Sequence, residues 1–150
     1  MTAFVSGGAG FLLAVLWFDL MFDVQVRGHG RGELPEEVLG SIRGYYGRVT
    51  TAARPMNRLI ATVMLATIGA IVVQLADGDS PRWVGWASLV LTASAVLLAG
   101  GHTVPLAVRL GAGGDAIEVQ SRIARAIYRD HLFCLGAVAA VLAIQLAFGT

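Results

Sequence analysis

The chain has 150 residues, of which 56% are hydrophobic and only 14% are charged, and its mean hydropathy is +0.70. Soluble domains usually carry about 25% charged residues, so this composition excludes an ordinary soluble protein and favours one integral membrane domain. The net charge is +1, and the arginines are spread along the chain and offset by acids, so no nucleic-acid partner is expected.

Four apolar stretches divide the chain, at residues 4–24, 56–75, 83–104 and 131–148. Each is close to the ~20 residues that a helix needs to cross a bilayer. We therefore predict an all-α membrane protein with a single domain, a bundle of four transmembrane helices. The first stretch has neither a basic N-terminal region nor a small-residue cleavage site after it, so it is expected to be a span rather than a signal peptide.

The arginines predict the orientation of this bundle. Lysine is absent, and all the arginines except Arg82 lie in or beside the first and third connections. These are Arg27, Arg31, Arg43, Arg48, Arg54, Arg58, Arg109, Arg122, Arg125 and Arg129. By the positive-inside rule both long connections are cytoplasmic and both termini lie outside. We expect a bacterial inner membrane, since the use of arginine with abundant alanine and glycine is typical of a GC-rich genome.

The first cytoplasmic connection is predicted to contain an amphipathic helix. Leu34-Pro35-Glu36-Glu37 is typical of a helix start, with proline early and two carboxylates in the first turn. Apolar residues then recur at spacings of three and four, which predicts a helix over residues 35–50 that lies in the membrane interface. Such a helix is an amphipathic tether or, alternatively, a mobile lid over a site.

The second cytoplasmic connection is predicted to end in another amphipathic helix, which runs without a break into the fourth span. Asp115 and Glu118 have the spacing of a capping box at its start. Three arginines share one face with Glu118, at spacings of four, three and four: Arg122, Arg125 and Arg129. This stripe faces lipid phosphates and the cytoplasm or, alternatively, lines a pocket for an anionic ligand.

Asp19 and Asp23 are the least expected charges, because both lie in the cytoplasmic half of the first span. A carboxylate below the interface costs on the order of 3 kcal/mol. Asp19, about one turn deeper, is therefore expected to face the bundle interior and to pair with Arg58 or Asn57, whereas Asp23 reaches interfacial water. Either Asp19 and Arg58 form a structural pair, or Asp19 belongs to a catalytic, proton-handling or metal site.

Two histidines are expected close to these carboxylates, since His102 ends the third span and His131 begins the fourth. The third span is predicted to end irregularly, because Gly100-Gly101 and Pro105 surround His102. Two imidazoles and a carboxylate would suit iron or copper. No EXXH or HXXXH spacing marks such ligands, so we assign no metal and leave the cofactor unknown. The alternative is that both histidines are simply hydrogen-bonded at helix ends.

Two parts of the chain carry a family resemblance. One is the segment His102-Thr103-Val104-Pro105-Leu106-Ala107-Val108-Arg109-Leu110, and the other is the helix that enters the fourth span through Arg129-Asp130-His131. With the four-span plan, they resemble the small membrane proteins grouped with the fungal anthrone oxygenases. The resemblance covers mainly the last third of the chain. Ala107 stands where that family usually has asparagine. The resemblance implies the oxidation of a polycyclic phenolic substrate.

Three functions follow as hypotheses. The first is an oxidoreductase or oxygenase acting on a lipophilic aromatic or quinone-like molecule at the cytoplasmic leaflet, with His102 or His131 as catalytic base and Asp19 orienting it. Its candidate substrate-binding residues are Asp23, Asn57, Arg58 and Arg129. The second is a non-catalytic accessory subunit, whose glycine- and alanine-rich spans pack against a partner membrane subunit. The third is a small homo-oligomeric transporter that uses Asp19 for proton coupling. Membrane lipids are partners in all three.

Overall fold

Helices make up nearly all of this computed structural model, which describes residues 1–78 and 80–149, except for the side chain of Arg54. Asp79, in the predicted second connection, lies outside the described residues. The α-helices are α1 (Thr2–Asp23), α2 (Glu36–Thr51), α3 (Arg54–Asp77), α4 (Arg82–Leu98), α5 (Val104–Ala112) and α6 (Ile117–Phe148). No strand occurs in the described part of the chain, so the all-α prediction is confirmed.

Four helical segments are long and apolar enough to cross a membrane: Thr2–Val26, Pro55–Asp77, Arg82–Ala112 and Ile117–Phe148. The third consists of α4, one π-helical turn at Ala99–Thr103, and α5. Large apolar side chains on the outer surface are 68–74% exposed, among them Phe4, Leu65, Leu97 and Leu146. Such extensive exposed apolar surface suits contact with lipid rather than water. These features support a multi-pass membrane protein.

The four segments form a ring in which α1 and α4 each pack against α3 and α6. Small and branched side chains, including Val5, Ala9, Ile71 and Val141, fill the space between them. A second core lies beyond one end of the ring, where α2 packs against α5 and the first half of α6. We call this the α2 end of the bundle.

The helix predicted over residues 35–50 is observed as α2, and its contact with α5 depends on two glycines. Gly47 and Gly111 face each other at the crossing point. A Cβ added to Gly111 would lie 2.7 Å from the backbone nitrogen of Gly47, closer than carbon atoms approach such a neighbour. The pair therefore lets the two helix backbones come into direct contact.

The irregular end of the third span takes the form of the π turn, so the chain remains helical there. Pro105 has no N–H to donate to the carbonyl of Gly101, and its ring crowds the preceding turn. A single wider turn relieves that crowding. The turn also places the side chains of His102 and Thr103 against α6.

The predicted capping box at the start of α6 is wrong, although the helix does run unbroken into the fourth span. No side chain caps its first turn. Asp115 instead accepts two hydrogen bonds from Arg109, from Nε and Nη2, each 2.8 Å long. The Arg109 guanidinium holds the pKa of the Asp115 carboxyl below its usual value. This charged pair outcompetes the cap because a bidentate contact satisfies both carboxylate oxygens.

Candidate functional site

Five polar side chains form a cluster that joins three helices at the α2 end. They are Asp19 and Asp23 from α1, Tyr45 and Tyr46 from α2, and His131 from α6. Along α1 the two aspartates are one helical turn apart, so both point to the same side. The cluster is present because α2 folds back over the end of α1 and places its tyrosines against those carboxylates.

The imidazole of His131 lies between the two aspartates. Its Nδ1 is 2.6 Å from Oδ2 of Asp23, and its Nε2 is 3.9 Å from Oδ2 of Asp19. A carboxylate offers only acceptors, so Nδ1 donates the hydrogen bond to Asp23, and in the neutral imidazole Nε2 carries the lone pair. Nε2 makes no hydrogen bond with the described residues, and the side chain retains 11% exposure. The arrangement therefore presents an oriented base beside a second carboxylate.

Each aspartate also accepts a hydrogen bond from a tyrosine hydroxyl. Tyr46 donates to Oδ1 of Asp23 over 2.7 Å, and Tyr45 donates to Oδ1 of Asp19 over 2.6 Å. Burial, and then the negative charge of the carboxylates, raises the pKa of both hydroxyls. Both tyrosines are therefore protonated donors across the physiological range.

Aromatic contacts fix the positions of these tyrosines. The ring of Tyr45 is stacked on that of Phe22, with ring centres 4.1 Å apart and planes 9° from parallel. The ring of Tyr46 meets Tyr45 edge to face at 5.2 Å. Contacts between aromatic rings are favourable, so the two ring contacts hold the hydroxyls in place.

The order of burial of the two aspartates is the reverse of the sequence prediction. Asp23 is completely buried, whereas the side chain of Asp19 keeps 19% exposure. The prediction that Asp23 reaches interfacial water was wrong, because α2 covers this end of α1 and Tyr46 and His131 surround Asp23. Asp19 lies at the edge of that cover, where it connects the cluster to the surface.

A second carboxylate–histidine pair lies beside the first. Nδ1 of His102 is 2.7 Å from Oδ2 of Asp130, and the hydroxyl of Thr103 donates to the same oxygen over 3.0 Å. Asp130 directly precedes His131 on α6, so the two pairs occupy adjacent positions. The side chain of His102 is 53% exposed. Both predicted histidines thus lie at the same end of the bundle, one enclosed and one accessible.

The other predicted site residues lie away from the cluster. Arg58 is exposed and forms no ion pair with any carboxylate in the described part of the chain. The expected Asp19–Arg58 pair is therefore wrong, because Tyr45 supplies the hydrogen bond to Asp19 while Arg58 stays on the surface. Asn57 donates to the carbonyl of Val49 over 2.7 Å and joins α2 to α3. Arg129 is exposed and lines a separate cleft.

Sequence reasoning missed Tyr45 and Tyr46 as partners of the aspartates, and Asp130 and Thr103 as partners of His102. Tyrosines near the ends of spans are also common in interfacial aromatic belts, so their positions in the sequence do not by themselves indicate contact with the aspartates. One sequence signal could have identified Asp130 as a site residue. It directly precedes His131 at the start of the fourth span, and an ionisable residue at a span boundary is a candidate for function.

A further buried polar cluster lies at the opposite end of the ring. Gln74 and Gln145 exchange amide hydrogen bonds of 3.1 and 2.9 Å, and Gln145 also donates to Ser88 over 3.0 Å. These groups satisfy one another across α3, α4 and α6. We interpret this cluster as a structural contact between helices, because Gln74, Gln145 and Ser88 include no ionisable group that could act as a base.

In residues 1–78 and 80–149, no group of three or more His, Cys, Asp or Glu side chains is arranged to hold a metal ion. Two carboxylates and one imidazole do meet in the cluster, but the hydrogen bonds from Tyr45, Tyr46 and His131 already occupy most of their ligand atoms. The geometry favours proton transfer by the side chains themselves.

No family model, curated protein or solved structure matches this chain. Its function is therefore argued from the chemistry of the two carboxylate–histidine pairs.

Proposed function

We propose that the protein is a small membrane oxidoreductase, of the anthrone-oxygenase kind, that removes a proton from a lipophilic phenolic or quinone-like substrate. The observation that carries the proposal is the Asp23–His131 pair, in which a fully buried carboxylate bonds Nδ1, while Nε2 has no hydrogen-bond partner among the described residues and faces Asp19 at 3.9 Å. An imidazole held in this way by a carboxylate is suited to general-base catalysis. The resemblance to anthrone oxygenases supplies the substrate class.

In the proposed step, a proton from an acidic O–H or C–H bond of the substrate passes to Nε2 of His131. Asp23 fixes the tautomer through Nδ1 and stabilises the imidazolium that forms. Asp19 faces Nε2 at 3.9 Å and, with its remaining exposure, lies where the substrate approaches. The deprotonated, electron-rich substrate is then oxidised by dioxygen. For anthrone, one oxygen atom becomes the new quinone carbonyl at the methylene carbon, and the other leaves as water with the two hydrogens of that carbon, one of them returned by His131.

The Asp130–His102 pair is proposed as the second acid–base group. His102 is more than half exposed, and its Nδ1 is held by a carboxylate as that of His131 is. A histidine in this position exchanges protons with the surroundings and with substrate that approaches along the bundle surface. Unusual helical turns of this kind occur often at functional sites, and His102 lies within one.

The proposed setting is a bacterial inner membrane with the α2 end in the cytoplasm and both termini outside. The arginine distribution supports this orientation. Under this orientation α2 and the first turns of α6 are the two cytoplasmic amphipathic segments, and the acid–base cluster lies near the inner leaflet, where a lipophilic substrate concentrates.

A non-catalytic accessory subunit is the alternative. It is favoured by the way the same cluster bridges α1, α2 and α6 with hydrogen bonds of 2.6–2.7 Å. In that case the contacts serve only to fix the helices, and the outer faces of the spans bind a partner membrane subunit. Catalysis by isolated protein distinguishes the two functions.

The test uses purified protein in detergent micelles with anthrone as the probe substrate. Oxygen consumption and quinone absorbance are recorded together. His131→Gln is expected to lower the oxidation rate at least 100-fold, since general bases contribute about 10²–10⁴-fold. His29→Gln is the matched control, because His29 lies in an exposed loop, where its Nδ1 contacts the backbone carbonyl of Arg27. A folded His131→Gln variant with an unchanged rate, or the absence of anthrone oxidation, contradicts the proposal and favours the accessory subunit.

A further inference from the structure

A cleft of about 610 Å³ opens at the α2 end, between the loop that follows α1 and the first half of α6. Its volume falls within the range of about 300–1,000 Å³ that is usual for small-molecule sites. Five arginines line it: Arg27, Arg31, Arg122, Arg125 and Arg129. No acidic side chain is among the lining residues. The cleft is therefore strongly and uniformly positive.

Hydrogen bonds hold the loop in place against α6. Arg125 donates through Nη2 to the carbonyl of Gly32 over 2.6 Å, and the backbone N–H of Leu34 donates to the buried hydroxyl of Ser121 over 2.9 Å. Gly28 and Gly30 adopt positive φ angles of 85° and 57°, which turn the loop around the opening. The cleft is thus built by specific contacts rather than by a loose loop.

The remaining four arginines are Arg27, Arg31, Arg122 and Arg129. None of them makes an ion pair or a side-chain hydrogen bond with the residues that the structure describes, where the arginine–carboxylate pairs are Arg43–Glu36 and Arg109–Asp115. Like charges gathered in one cleft repel one another, and a bound anion removes that cost. Guanidinium groups match phosphate oxygens in geometry and charge.

The position of the cleft indicates the depth in the membrane at which an anion bound there would lie. With a rise of 1.5 Å per residue, Arg129 and Arg122 lie about 3 and 14 Å along α6 from His131, on the side away from the apolar half of the helix. This is the depth of the lipid headgroups if His131 marks the end of the hydrocarbon region. Val26 and Tyr128 add an apolar and an aromatic surface to the cleft. Both features suit an amphiphile whose charged head enters while its chains stay in the bilayer.

We propose that this cleft is a binding site for phosphate groups, with the two-phosphate headgroup of a cardiolipin-type lipid as the ligand that fits its charge. Basic pockets at the cytoplasmic ends of spans are known to bind such headgroups. The site is separate from the acid–base cluster and exists whether or not that cluster is catalytic. A free phosphate compound offers the same chemistry without the acyl chains, so both sources are tested.

The experiment measures binding to the full-length protein in neutral detergent micelles, by native mass spectrometry and by the thermal unfolding midpoint. The probes are cardiolipin, inorganic diphosphate and, as a neutral lipid, phosphatidylcholine. Cardiolipin is expected to bind saturably and to raise the midpoint, with at least tenfold weaker binding to Arg122→Gln/Arg129→Gln. The control variant Arg48→Gln/Arg58→Gln removes the same charge from exposed positions outside the cleft and is expected to bind as the wild type does.

A second cleft variant, Arg27→Gln/Arg31→Gln, changes only the loop and keeps the test decisive if the α6 variant unfolds. Binding of cardiolipin but not diphosphate identifies a lipid headgroup site, whereas tight binding of diphosphate alone identifies a site for a free phosphate compound. Both outcomes support phosphate recognition. Equal binding by the cleft and control variants, or cardiolipin bound no better than phosphatidylcholine with no diphosphate bound, overturns the proposal.

Discussion

Nδ1 of His131 lies 2.6 Å from the carboxylate of Asp23, although the two residues are 108 positions apart in the chain. The contact joins the first helix to the last inside the bundle, at a point from which water is excluded on the Asp23 side. A hydrogen bond to a charged group in such a place is among the strong ones. The pair therefore contributes to the fold whatever its chemical role.

Asp23→Ala is expected to destabilise the protein more than Asp19→Ala. Removing Asp23 leaves two buried groups without an acceptor, the Tyr46 hydroxyl and the His131 Nδ1–H. Each unsatisfied group costs about 1–3 kcal/mol, so we expect a loss of about 3 kcal/mol. Asp19 and its partner Tyr45 are both partly exposed, so water can replace the lost carboxylate as the acceptor. The free energy of unfolding in mixed micelles measures the difference, and equal losses would refute this burial argument.

Asp19 is expected to be coupled to Tyr45 and not to Arg58. The Tyr45 hydroxyl lies 2.6 Å from the Asp19 carboxylate, while Arg58 is exposed and makes no contact with it. A double-mutant cycle with Asp19→Ala and Tyr45→Phe should give a coupling energy of about 1.5 kcal/mol. The same cycle with Arg58→Ala should stay within about 0.5 kcal/mol of additivity. A larger coupling to Arg58 would restore the ion pair that the sequence suggested.

The sequence predicted the four spans, the helix that becomes α2 and the unbroken entry into α6, because each leaves a one-dimensional signal. Span length and hydropathy reflect the bilayer thickness. The bounds of α2 follow from its proline, its acidic first turn and its apolar spacing. The shared end of His102 and His131 follows from topology alone, since alternating spans bring these two boundaries to one side.

The hydrogen-bond partners within the site were not predictable from the sequence. They depend on the rotation of each helix about its axis and on the way α2 folds back, and neither leaves a pattern in the sequence. The uniformly apolar α1 has no dominant polar face, so nothing in its sequence shows which helix Asp19 and Asp23 approach. Depth in the bilayer suggested Arg58 as a partner. The observed partner, Tyr45, comes from a helix outside the spans, and its contact depends on how closely α2 docks against α5.

Gly111→Ala is expected to disturb that docking. Its Cβ would lie 2.7 Å from the backbone nitrogen of Gly47 and 2.9 Å from the carbonyl carbon of Tyr46, and neither atom can turn away as a side chain can. Overpacking of this kind costs about 1–3 kcal/mol, and it should also shift Tyr46 from Asp23. Thermal unfolding in micelles measures the cost.

The matched control is Gly40→Ala in α2, where an added Cβ meets nothing within 4 Å. Alanine is favoured over glycine inside a helix by about 1 kcal/mol, so this variant should be as stable as the wild type or more so. An increase in stability from both Gly111→Ala and Gly40→Ala would contradict the direct backbone contact between α2 and α5.

The two tyrosines should make the protein sensitive to alkali. Burial, and then the neighbouring carboxylates, raises the pKa of Tyr45 and Tyr46 in the folded state, whereas an unfolded tyrosine ionises near pH 10. Above about pH 10 the unfolded chain therefore loses protons that the folded chain keeps. The stability contributed by these groups is fully present below that pH and declines as the pH rises further.

The unfolding free energy of the wild type, followed from about pH 9 to 11, should fall more steeply than that of Tyr45→Phe/Tyr46→Phe. Phenolate absorbance should rise in step with unfolding for these two rings, and parallel pH profiles for the two proteins would show that the hydroxyls are not buried against Asp19 and Asp23.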